Sequence, residues 1–84
     1  VTVSDVRIEV PESVLAATGQ SPEEFEREAR VLLALKLFEL GRLSSGKAAE
    51  LGGMTRVEFL LTASRMGVPV ADLDESEMER EFRG

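Results

Sequence analysis

The run from Ser44 to Gly67, SSGKAAELGGMTRVEFLLTASRMG, constrains the fold more than any other part of this chain. It contains the pattern small-Glu-Leu-small-Gly-apolar-Thr, as Ala49-Glu50-Leu51-Gly52-Gly53-Met54-Thr55, followed by an amphipathic stretch. Ala48, Ala49 and Gly52 are small enough to let two helices approach closely. Gly53 can take the positive φ that a tight interhelical turn needs and that a Cβ resists. Met54 is suited to tuck under the corner. Thr55 then starts a second helix with a capping box, because Glu58 lies three residues on, and Met54 and Phe59 occupy the positions of a hydrophobic staple. A helix over 44–52, a glycine corner and a capped helix over 56–66 make a helix-turn-helix. This is the build that presents its second helix to the DNA major groove.

Charge is distributed in a way that bears on this reading. The chain of 84 residues has a net charge of −6, which argues against nucleic acid. Residues 1–41 carry four basic side chains against eight acidic ones, and 67–84 carry two against six. Residues 42–66 instead have Arg42, Lys47, Arg56 and Arg65 against Glu50 and Glu58, a net +2. The one positive segment coincides with the helix-turn-helix, although a typical DNA-binding domain is more basic than this. On the second helix, Thr55, Glu58, Thr62 and Arg65 fall along one stripe with Arg56 at the first turn. Together with Lys47 they are the candidate DNA contacts. Leu60 and Leu61 stand where many such helices carry polar readers, which suggests a helix packed on two sides.

Upstream, Val6, Ile8 and Val10 alternate with Arg7 and Glu9, the periodicity of a short N-terminal β-strand with one buried face. Such a strand must pair, either with its twin across a dimer axis or with Val68-Pro69-Val70. Glu12 to Thr18 reads as a short helical turn ended by Gly19. The following helix is the best marked: Ser21 is its N-cap, Pro22 its first residue, Glu24 closes a capping box and Gly41 supplies the stop. Its second half, Val31 to Leu40, is apolar nearly all round, as in a helix buried on several sides. An 84-residue monomer cannot easily cover it, so Leu32, Leu33, Leu37 and Phe38 are the candidate dimerisation residues. At the C-terminal end, Asp74 and Glu77 form a further capping box, stapled by Leu73 and Met78, for a short acidic helix to about Phe82.

Two near-matches to ligand-binding loops fail on chemistry. Gly41-Arg42-Leu43-Ser44-Ser45-Gly46-Lys47-Ala48 resembles a phosphate-binding loop, but Ala48 offers no hydroxyl for Mg²⁺ and the loop follows a helix, not a strand. Gly41 is better read as a helix stop, with Ser44 or Ser45 capping the next helix. Asp72, Asp74 and Ser76 have the spacing of the first calcium-loop ligands, yet Glu77 replaces the required glycine and Arg83 the bidentate glutamate. With no Cys and no His, thiolate chemistry, disulfides and the commonest general base are excluded. No catalytic constellation remains, and neither an enzyme nor a cofactor is expected. The longest apolar run, Val31 to Leu35, is too short for a membrane span, and no signal peptide opens the sequence. A cytoplasmic protein is the expectation. Val1 in place of an initiator Met suggests a trimmed or processed N-terminus.

The run RLSSGKAAELGGMTRVEFLLTASRMGVPV, with the upstream VRIEVPESVL and SPEEFEREARVLLALKLFELG, resembles an uncharacterised family of small bacterial and archaeal antitoxin-like proteins. Genes of that family often lie beside those of PIN-domain ribonuclease toxins. The resemblance covers nearly the whole chain, is strongest over 42–70, and carries over residue by residue only for Ala48 to Arg65. It implies a homodimer that binds its own double-stranded promoter DNA and restrains a PIN-domain toxin through its C-terminal part, as in a type II toxin–antitoxin pair. Leu73, Met78, Arg80, Phe82 and Arg83 are then the candidate partner-binding residues, the two arginines facing the toxin's acidic site. A protein-interaction module with a degenerate helix-turn-helix and a stand-alone transcription regulator are the alternatives. A ribbon-helix-helix protein reading DNA with Ser4 to Val10 is disfavoured by Asp5 and Glu9. The expected architecture is mainly α: N-terminal strand, long dimerisation helix, helix-turn-helix and acidic C-terminal helix. Residues 1–70 would form the dimerising domain and 71–84 a partner-binding tail.

Overall fold

The computed structural model describes residues 2–70. Through them run α1 (Glu12–Thr18), α2 (Pro22–Glu39), α3 (Ser45–Gly52) and α4 (Arg56–Arg65). The sequence signals at the helix ends act as expected. Ser21 Oγ accepts the Glu24 N–H at 3.2 Å while Glu24 Oε1 accepts the Ser21 N–H at 2.9 Å, so two orphan donors of α2 are satisfied reciprocally. Pro22 follows at the position where its missing N–H costs nothing. At the other end Gly41 takes φ 75°. The Gly41 N–H then reaches the Phe38 carbonyl at 3.0 Å and the Arg42 N–H the Leu37 carbonyl at 2.8 Å, a Schellman stop. Ser44, not Ser45, caps α3, its Oγ accepting the Lys47 N–H.

The core is built where the three longer helices meet. It consists of Ala34 and Leu35 from α2, Ala48 and Ala49 from α3, and Phe59 and Ala63 from α4. Four of the six are alanines, so the helix axes come close and the core gains its bulk from Leu35 and Phe59. The Phe59 ring is fully buried and meets Phe38 edge to face, centroids 5.3 Å apart, which ties α4 to α2. Arg30 adds a polar tie, donating from Nε to the Leu51 carbonyl at 3.0 Å and so satisfying a terminal acceptor of α3.

One expected element is absent. Residues 2–10 form no β-strand, and no strand occurs among the described residues. Val3, Val6 and Ile8 are 80%, 82% and 75% exposed. The alternation is real, but a strand is completed by a neighbour's backbone, and among the described residues none pairs with this segment, Val68-Pro69-Val70 included. The expected acidic helix and partner-binding tail over 71–84 lie outside the described residues.

The apolar half of α2 divides between interior and surface. Leu35 is buried, Leu37 and Phe38 are half-buried, and Leu32, Leu33 and Leu40 are exposed. Leu32 and Leu35 line an open groove of about 140 Å³ whose other apolar wall is Met66 and Val68, with Lys36 and Glu39 at its rim. No helix among the described residues is long and apolar enough to cross a membrane.

Candidate nucleic-acid interface

The turn between α3 and α4 follows from Gly53. Its φ of 71° reverses the chain, and this left-handed conformation is one that a Cβ would disfavour. The Gly53 N–H then bonds the Glu50 carbonyl at 3.1 Å and the Met54 N–H the Ala49 carbonyl at 3.0 Å, which closes α3. Gly52 differs. It is helical, and a Cβ there would meet Met54 Cε at 3.5 Å and Ala34 Cβ at 3.8 Å, ordinary contacts. The close approach of α3 to α2 is therefore made by Ala48, Ala49 and Ala34, not by Gly52.

Thr55 opens α4 with a complete capping box. Thr55 Oγ1 accepts the Glu58 N–H at 3.1 Å, and Glu58 Oε1 accepts the Thr55 N–H at 2.9 Å. Hydrogen bonding from the Thr55 backbone and then its hydroxyl holds the Glu58 carboxyl below the ordinary glutamate range. Glu24 is lowered likewise, by Ser21 backbone and hydroxyl and then by Arg27.

The candidate DNA contacts fall into distinct situations. Thr55 and Glu58 hold each other. Thr62 Oγ1 donates back to the Glu58 carbonyl at 2.9 Å, so its hydroxyl lies along the helix. Arg56 turns inward: its Nε donates at 2.8 Å to Oγ of the buried Ser45, and its Nη2 is shut off from solvent with no hydrogen-bond partner among the described residues. It fastens the first turn of α4 to the first turn of α3. Lys47 is exposed and pairs with Glu50 at 3.1 Å, a contact water readily screens. Arg65 is exposed at the end of α4, and its side chain makes no hydrogen bond or ion pair among the described residues.

The outward face of α4 is mixed: Val57 and Leu61 are exposed on it together with Glu58, Ser64 and Arg65. Phe59 and Ala63 point into the core, Leu60 packs against it half-buried, and Val57 and Leu61 stand 66% and 54% exposed on the other side. Val57 was not among the sequence candidates. Its position four residues before Leu61, across the helix from Phe59 and Ala63, was the available signal.

Comparison with known proteins agrees with this small helical chain being one of a set. It is 38% identical over 63 residues to a UPF0175 protein of Aeropyrum pernix, covering 75% of this chain and 66% of that protein. It is 34% identical over 80 residues to a UPF0175 protein of Archaeoglobus fulgidus, covering 94% of this chain and 90% of that protein. The matched stretch thus spans just under two thirds of the first relative and nearly all of the second. No solved structure matches. Residues 3–84 match the description "Uncharacterised protein family (UPF0175)", and the chain belongs to that family.

Proposed function

We propose that this chain is a homodimeric DNA-binding regulator, and that its role is that of an antitoxin in a type II pair, restraining a PIN-domain ribonuclease. The observation that carries the DNA-binding part is the corner at Gly53, which joins α3 to a capped α4 and leaves one long face of α4 open. The net +2 of residues 42–66 within an acidic chain supports it. The homodimer is supported by exposed Leu32, Leu33 and Leu40 and by the groove beside them. The toxin partner rests on the resemblance alone.

The deciding experiment is fluorescence anisotropy of the protein with duplexes from its own upstream region across a salt series. Binding that weakens as salt rises, with a slope reduced by about one unit in Arg65→Ala, is expected. Absence of binding even at low salt would transfer the assignment to a protein-interaction module, which the acidic balance and exposed apolar surface favour. For the antitoxin role, co-expression with a PIN-domain nuclease encoded beside this chain is the test, and the absence of such a gene would count against the role. The full chain should neutralise the nuclease, whereas a chain lacking residues 72–84 should bind DNA without neutralising.

A further inference from the structure

The outward face of α4 has an unusual chemistry for a groove-reading helix, and it narrows what that helix can recognise. Sequence readout in the major groove ordinarily uses side-chain donors and acceptors on base edges. Here Thr55 and Glu58 are occupied with each other, Thr62 bonds its own helix and Arg56 is turned onto Ser45. What faces outward is Val57 and Leu61, bordered by Ser64 and Glu58, with Arg65 at the end of the same face. Only one base presents an apolar group in the major groove, thymine with its C5 methyl.

We propose that α4 recognises thymine methyl groups through Val57 and Leu61; this rests on the DNA-binding reading above. Residues four apart on a helix are separated by about 6 Å along its axis. Base pairs stack about 3.4 Å apart, so a helix lying along the groove would place the two side chains over methyls about two base pairs apart. A two-residue patch is small beside the roughly 800 Å² that each partner contributes to a stable protein interface. Among the described residues the larger apolar surface lies elsewhere, on α2 and residues 3–8. Arg65, which has no ion-pair partner among the described residues, lies at the end of the patch where a phosphate could be met, and the Glu58 carboxylate is tied by one oxygen to the Thr55 N–H.

The test uses short alternating duplexes measured by anisotropy: A·T, A·U, G·C, and G·C with 5-methylcytosine. The A·T and A·U duplexes differ only in the 5-methyl group, and in alternating A·T each strand carries a thymine every second position. Loss of each contacted methyl should weaken binding about four-fold, so about fifteen-fold for the pair. Methylating cytosine should strengthen G·C binding. Val57→Ser with Leu61→Gln, both at exposed positions, should keep the helical circular dichroism and the affinity for A·U while losing the preference for A·T. Equal affinity of the wild type for A·T and A·U would overturn this proposal and leave DNA binding standing. Failure to bind any duplex would overturn both readings, and weakened self-association of the doubly substituted chain would then make the face a protein contact.

Discussion

Gly52 and Gly53 are neighbours with opposite requirements. Gly53 sits at φ 71°, where a side chain is strained, while Gly52 is helical with room for a methyl group. Gly53→Ala should therefore destabilise by about 1–2 kcal/mol. Gly52→Ala should be neutral or stabilise by up to about 1 kcal/mol, since alanine is the better helix former. Urea unfolding followed by circular dichroism distinguishes them, and equal effects would contradict the turn geometry. Glu24 and Glu58 invite a second measurement. Their carboxyls are lowered in the folded state, so their contribution is complete above the ordinary glutamate value and is lost as pH falls through the lowered one. Glu24→Gln with Glu58→Gln should flatten the decline of stability on acidification across that window. An unchanged slope would show that the capping carboxylates are not ionised partners.

At the level of helices, α4 is anchored by one ring and one guanidinium. Phe59 meets Phe38, and Arg56 meets Ser45. Phe59→Ala should cost about 3–5 kcal/mol, enough to unfold a domain of this size, and thermal melts should show it. Loss of DNA affinity in Arg56→Ala would mix a weakened fold with a lost contact, whereas Arg65→Ala is free of that ambiguity. What the sequence revealed divides along the same line. Caps and stops at Ser21, Gly41, Gly53 and Thr55 were legible because each is chemistry within about four residues, while the cap of α3 was narrowed only to Ser44 or Ser45. The strand expected at Val6 to Val10 was misjudged because alternation names a face but not the neighbour a strand requires. The inward turn of Arg56 was hidden because its partner, Ser45, is eleven residues back across the corner. Two first-turn residues, one polar and small and one long and cationic, were the only hint.

For the molecule as a whole, exposed Leu32, Leu33 and Leu40 are surface that water disfavours. If they meet a second copy, Leu33→Glu should leave a folded monomer at micromolar concentration where the wild type is a dimer by light scattering. Leu33 is 47% exposed, so the substitution need not disturb the core. A monomeric wild type would refute this assembly. The order in which the helices pack has a kinetic consequence. Most helix contacts join sequence neighbours, α2 with α3 and α3 with α4, and the Phe38–Phe59 contact joins α2 to α4 over only twenty-one residues, so little chain entropy is spent closing distant loops before contacts form. Such a topology folds on the microsecond-to-millisecond scale. A chain built this way should regain its helices after dilution from denaturant almost as fast as a solution can be mixed, which leaves any slower recovery of function to the meeting of two chains and not to the folding of one.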